Sequence, residues 1–220
     1  MAQIKEHEIY TIGIVLLGNF NPSIITPFWL AHKNLIREVE ATSAKIEVIH
    51  PNISRFSISD WLDIEATQER IDFKTNRESH FSVLRDLVVS IFSYLDETPI
   101  KSLGINHLKH YRMRDKKEYE NLGYWLSPLH IFDQVLNQTK LQSIQFRETQ
   151  DENKQGVITL TISPSDLIQD RKSVLFNANH HFNSKGDRSE NIIKLLVNNW
   201  EYSFLTAKNV MNTLWTQANL

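Results

Sequence analysis

Residues 45–75 read KIEVIHPNISRFSISDWLDIEATQERIDFKT. Ile46, Val48, Phe56, Ile58, Leu62, Ile64, Ile71 and Phe73 fall at alternate positions within their segments. Successive side chains of an extended chain point to opposite faces, so a period of two marks strands with one buried side. The spacing predicts strands at about 45–50, 53–66 and 69–75, and with them an antiparallel sheet that keeps one face wet.

The flanks extend this pattern. Ile9–Leu17 is apolar and β-branched, the composition of a buried strand. Gly18-Asn19-Phe20-Asn21-Pro22 ends it with residues that supply turn geometry. Thr26 can then cap a helix, expected to reach about Thr42, with Pro27 at the first position, where a missing N–H costs nothing. Beyond the strands, Phe81, Leu84, Leu87, Val88, Ile91, Phe92 and Leu95 form one helical stripe, which Pro99 closes.

The order then recurs. Ile100–Arg112 reads as a long strand, Arg112–Glu120 as a solvated loop or short helix, and Ser127-Pro128 opens a helix to about Asn137. Strands are expected near 141–149, 156–162 and 173–182, with Asp151–Gly156 as a hairpin loop and a final helix over about 190–216. The fold class is therefore α+β. Two pseudo-repeated β-α-β-β-β-α halves, 1–98 and 99–220, make one compact unit, an antiparallel sheet with helices packed on one face.

Composition narrows the chemistry. The chain has no cysteine, which excludes disulfides, thiolate nucleophiles, iron–sulfur clusters and Cys-based zinc sites. A formal charge of −2 lacks the basic surplus of a nonspecific nucleic-acid binder, so nucleic acid is not the expected partner. Met1–Glu8 lacks the layout of a signal peptide, and apolar runs such as Ile12–Leu17 are too short to span a bilayer. The expectation is a soluble cytoplasmic protein without a membrane partner.

The histidines concentrate on strands, as His107 with His110 and His180 with His181. Positions i and i+3, like i and i+1, point to opposite faces of a strand, so neither pair chelates by itself. His180 shares its face with Phe176 and Phe182 and points inward. With no HxH or helical spacing, neither metal nor cofactor is expected. The polar strand positions are more suggestive. Asn106, His110 and Arg112 share one face of their strand, and Asn177, Asn179 and His181 share one face of another. Such side chains offer many hydrogen bonds to a ligand or partner, although a solvated sheet face needs no function. On the last helix, Trp200, Tyr202, Phe204 and Trp215 supply more aromatic surface than one face buries. Trp200 and Tyr202 are accordingly expected to meet a partner.

Two sharper motifs compete. Gly18–Pro22 before a capped helix could hold an anion, but it matches neither GxxxxGK[ST] nor GxGxxG. The element order over 26–112 resembles the core of the PD-(D/E)xK nuclease superfamily. That resemblance implies a divalent metal held by Asp72 of Asp72-Phe73-Lys74 and by Asp63 or Asp60, with Lys74 near the attacking water and Glu38 as a further acid. The Pro-Asp dipeptide of that superfamily is missing at the upstream hairpin.

Asn19-Phe20-Asn21-Pro22 with Pro27-Phe28-Trp29, Leu103-Gly104-Ile105-Asn106, and Asn179-His180-His181-Phe182 resemble segments of a bacterial family of uncharacterised, sporadically distributed proteins. That family has no assigned reaction, so no catalytic residue transfers. Its sporadic distribution implies a role in bacterial conflict or defence. The expected function is a noncatalytic binding or assembly protein, a subunit of a bacterial complex with a protein partner or a second copy of itself. The alternatives are a metal-dependent hydrolase using Asp63, Asp72 and Lys74, and a small-ligand-binding protein with its site between sheet and helices.

Overall fold

Ile14, Phe73 and Ile64 lie side by side on three neighbouring strands, each fully buried. The alternation in the sequence thus closes one face of a sheet. The structure is a computed structural model that describes residues 6–133, 135–137, 139–148, 156–168, 173–186 and 188–218. The elements of the first part are β1 (Ile9–Gly18), α1 (Pro27–His32), α2 (Glu38–Thr42), β2 (Lys45–His50), β3 (Ile53–Ile58), β4 (Leu62–Thr67), β5 (Arg70–Thr75) and α3 (Phe81–Tyr94). Those of the second are β6 (Ile100–Arg112), α4 (Lys116–Leu126), α5 (Leu129–Phe132), β7 (Ile144–Arg147), β8 (Val157–Pro164), β9 (Ser173–Asn183) and α6 (Ser189–Ala218).

The fold is mixed α+β. Nine strands form one antiparallel sheet in the order β2-β3-β4-β5-β1-β6-β9-β8-β7. β1 pairs with β6 from Ile9–His110 to Gly18–Ile100, so the sheet runs unbroken across the boundary between residues 98 and 99. Tyr10, Ile12, Ile14 and Leu16 of β1 face the same side as Leu103, Ile105, His107 and Tyr111 of β6. That side carries the helices. One buried cluster joins these strands to Leu30 of α1, the apolar stripe of α3, and Ile192, Leu196 and Trp200 of α6. A second joins Tyr111, Phe176 and Ile162 to Leu122 of α4 and to Ala207, Met211 and Trp215 of α6. Ser189 at the start of α6 donates to the carbonyls of Phe92 and Asp96, tying that helix to the end of α3.

Several boundaries differ from the sequence expectation, each for a local reason. The strand expected over 53–66 is two strands. Ser59 adopts a left-handed φ of 52° and Ile58 pairs with Leu62, closing a tight hairpin. The first half therefore has four strands after its first helical segment rather than three. The helix expected to reach Thr42 stops at His32, because Asn34 turns left-handed at φ 56°, and it restarts at Glu38, where the Glu40 carboxylate accepts from the Arg37 amide at 3.0 Å. The charged stretch before Glu120, expected as a loop or short helix, is helical and the helix runs on to Leu126. Asp115 accepts from the Glu118 amide at 2.8 Å, and the buried Glu118 carboxylate is held by the Arg114 amide and guanidinium. Ser127-Pro128 begins only four helical residues. Residues 151–155 of the expected hairpin loop lie outside the described residues.

No helix among the described residues is long and apolar enough to cross a membrane. The inward–outward assignment of β5 is directly testable by chemical denaturation. Phe73→Ala should cost about 3–5 kcal/mol of folding stability, because it opens a cavity between β5 and α3. Lys74→Ala, one residue on but facing solvent, should change stability by less than about 0.5 kcal/mol.

Candidate functional site

The sheet face opposite the helices carries a continuous row of polar side chains. Strand register places Ser57, Asp63, Lys74, Gly13, Asn106, Asn179, Thr159 and Arg147 next to one another across eight strands. At a strand spacing of about 4.8 Å the row is about 34 Å long. A parallel row runs through Arg55, Glu65, Asp72, Val15, Gly104, His181 and Val157. On the other side of the first row lie Thr11, Leu108, Asn177, Thr161 and Gln145. Two candidate sets that were separate in sequence, the acids with Lys74 and the Asn/His positions, thus share one surface.

The two flanks differ in charge. On β3–β5 the groups are ion-paired. Arg70 grips Asp72 through both carboxylate oxygens, at 2.5 and 2.8 Å, and Lys74 approaches to 3.7 Å. Arg55 pairs with Glu65 at 2.8 Å, and Asp63 accepts from the Ser57 hydroxyl at 2.6 Å. A metal at Asp72 would have to displace a bidentate guanidinium, one of the stronger pairings available to a carboxylate. Asp60 is taken by Arg77, and Glu38 sits on α2, on the helix side of the sheet. Among the described residues no group of three His, Cys, Asp or Glu side chains could hold a metal ion.

On β6, β9 and β8 the middle of the surface is uncharged, with Arg147 of β7 and the Arg112–Glu8 pair at its margins. Asn179 donates to the Asn106 side-chain carbonyl at 2.7 Å, and Gln145 donates to Thr161 at 3.1 Å. The buried side-chain oxygen of Asn177 finds no hydrogen-bond partner among the described residues. Gly13 and Gly104 lie beside these amides, and an added Cβ would meet only side-chain atoms and one carbonyl at 3.5–3.8 Å, ordinary contact distances. His181 bonds Asn183. His110 and Arg112, expected on this face, are there but engaged. The 165–168 segment brings the Ser165 hydroxyl to 2.7 Å from the His110 ring, and Arg112 pairs bidentately with Glu8.

The helix side contains a Ser–His contact, which chemistry must classify. The Tyr10 hydroxyl lies 2.6 Å from Nδ1 of His107, whose Nε2 lies 3.1 Å from the Ser203 hydroxyl. Ser203 donates its proton to the Trp200 carbonyl at 2.7 Å. Ser203 can then only accept from Nε2–H, which leaves Nδ1 to accept from Tyr10 and fixes the tautomer. Both Ser203 and His107 are 1 % exposed. Burial, more than the nearby Lys109 and His180, pushes His107 down to about 3. A serine with its proton committed, beside a base that is hard to protonate, is no nucleophile. This chain is a structural bridge between β1, β6 and α6.

The expected contacts on the last helix divide. Trp200 is only 3 % exposed and packs against Phe204, so burial removes it from the binding set. Tyr202 remains half exposed, its ring 5.5 Å from that of His180. His180, inward as expected, is pushed by burial down to about 4, and its Nδ1 has no partner among the described residues. The Gly18–Pro22 loop, weighed as an anion site, is a structural turn. The amides of Gly18, Asn19 and Phe20 donate to Glu69, Pro99 and Gln68, and α1 is only six residues long. Sequence reasoning missed the exposed apolar run on α4 and α5, Tyr124, Trp125, Ile131 and Phe132. The helical periodicity of Leu122 and Leu126 around Tyr124–Trp125 was its available signal.

No family model and no curated protein matches the chain.

Burial also pushes His110 down, and the two more strongly shifted histidines, His107 and His180, make stability depend on pH. The unfolded chain protonates them below about pH 6.5, whereas the folded chain resists to about 4 for His180 and about 3 for His107. Their contribution is fully present above about pH 6.5 and is lost as pH falls through that window, with a slope approaching about 1.4 kcal/mol per pH unit per histidine. His180→Phe should flatten this slope in urea titrations between pH 4 and 7. It should also match or exceed the parent at pH 7, because it removes an unpartnered nitrogen. Ser203→Ala should cost about 1–3 kcal/mol, and the parent should stay unlabelled by a fluorophosphonate.

Proposed function

We propose that this protein is a noncatalytic binding subunit of a bacterial assembly that docks a protein partner on its helix-free sheet face. The observation that carries the reading is the polar row that crosses eight strands without a covering helix. Its centre combines amides, hydroxyls and two side-chain-free glycine positions, which suits close approach of another polar surface. Its length of about 34 Å is on the scale of a standard protein–protein interface.

Two finer parts of the reading concern origin and setting. The strand orders β2-β3-β4-β5-β1 and β6-β9-β8-β7, each with a helical segment after its first strand and a long helix after its last, support descent of both halves from one duplicated unit. The short-motif resemblance to sporadically distributed bacterial proteins supports a role in genome conflict or defence. The hydrolase alternative is disfavoured by the bidentate grip of Arg70 on Asp72.

A photo-crosslinking amino acid at Thr159 or Thr161, with one at Tyr94 as the helix-side control, tests the reading in cells. The expected result is one discrete adduct from the sheet-face positions only, weakened at least about 10-fold by Asn106→Lys, since an unpaired charge is costly in an interface. Adducts only from Tyr94, or Mg²⁺-dependent phosphodiester hydrolysis abolished by Asp72→Asn, would overturn it.

A further inference from the structure

A second surface lies on the opposite side of the sheet. α1 and α2 stand apart from α3 and leave a groove of about 1080 Å³ between them. α3 presents Val83, Asp86, Leu87 and Ser90 to it. That spacing of three, four and seven residues is a single helical stripe, which borders the stripe that packs on the sheet and shares buried Leu87 with it. It runs for about 10 Å, two turns. Phe28 lines the groove from α1, and Trp61 and His80 line it from outside the helices. Trp61 is stacked on His80, with ring centroids 5.2 Å apart and planes within 28°.

The lining is apolar and acidic together. Phe28 and Val83 are 61 % and 44 % exposed, unusual for large apolar side chains on facing walls. Glu38, Glu40 and Asp86 supply three carboxylates, against the single guanidinium of Arg37. Arg37 is already spent on Glu40 at 3.0 Å. Asp86 is paired to Arg85, while Glu38 has no ion-pair partner among the described residues. A docked cation would find attraction at the rim and apolar contact at the walls.

We propose that this groove binds a basic amphipathic helix of a partner protein, two to three turns long. Its apolar side chains lie against Phe28, Val83 and Trp61, and its lysines or arginines meet Glu38 and Asp86. Paired helices leave an apolar channel that an incoming amphipathic helix fills at i, i+3 and i+4 spacing. Charge complementarity sets the sign of that helix. This surface is separate from the polar sheet face, so the protein holds two partners, or two parts of one, on opposite sides of the sheet.

The test uses a fluorescein-labelled Leu/Lys amphipathic peptide of about 12 residues, read by anisotropy at physiological salt, with its Leu/Glu counterpart as control. The full chain should bind the Leu/Lys peptide with a Kd of about 10 µM, and the Leu/Glu peptide at least about 10-fold more weakly. The double variant Glu38→Lys/Asp86→Lys, and separately Val83→Asp, should each weaken binding by about 10-fold while circular dichroism stays unchanged. All these positions are exposed at the groove, so the fold should survive. No binding, equal affinity for the acidic peptide, or indifference to both variants overturns the proposal. Concentration-dependent self-association abolished by Val83→Asp also overturns it, because the groove would then belong to a second copy. Sheet-face variants such as Asn106→Lys should leave peptide binding unchanged, which keeps this result distinct from that of the sheet-face reading.

Discussion

The ladder between β1 and β6 is the interaction on which the molecule depends. Every strand of the first part reaches the second only through this pairing. Its register puts Ile12, Ile14 and Leu16 beside His107, Ile105 and Leu103 on the helix side. By the same register Gly13 and Gly104 fall on the open side. A slip of one residue would turn the whole apolar set of either strand to water. One hydrogen-bonded seam therefore decides where the core lies and which face stays free.

A buried polar bridge reinforces that seam. Tyr10, His107 and Ser203 lie where the two apolar clusters meet, on β1, β6 and α6. Each donor has an acceptor, ending on the Trp200 carbonyl. A fully connected buried network specifies one arrangement, because any sliding of α6 would leave several polar groups unpaired at once. The same network explains why a Ser–His contact here carries no hydrolytic chemistry.

Much of the architecture was legible because alternation and helical stripes are local signals of burial. The strand Ile100–Arg112 was expected with the ends it has, and the inward position of His180 followed from its parity with Phe176 and Phe182. The missed features turn on single backbone conformations. Left-handed Ser59 and Asn34 cut a strand and a helix where apolar spacing alone suggested continuity. Trp200 and Tyr202 lie on different sides of the helical wheel, and the packing of α6 on the sheet buries the first and leaves the second half exposed.

The candidate surface shows the same division. By itself the sequence determined which residues share a strand face, since side-chain parity follows from backbone geometry: Asn106 with His110 and Arg112, and Asn177 with Asn179 and His181. Composition likewise removed thiol chemistry. Tertiary structure alone decided that β4, β5, β1, β6, β9 and β8 lie side by side, so that Asp63, Lys74, Asn106, Asn179 and Thr159 form one row. It also decided that Arg70 claims Asp72 and that Ser165 claims His110. Strand order and side-chain pairing depend on contacts between residues tens of positions apart, and local periodicity carries no information about them.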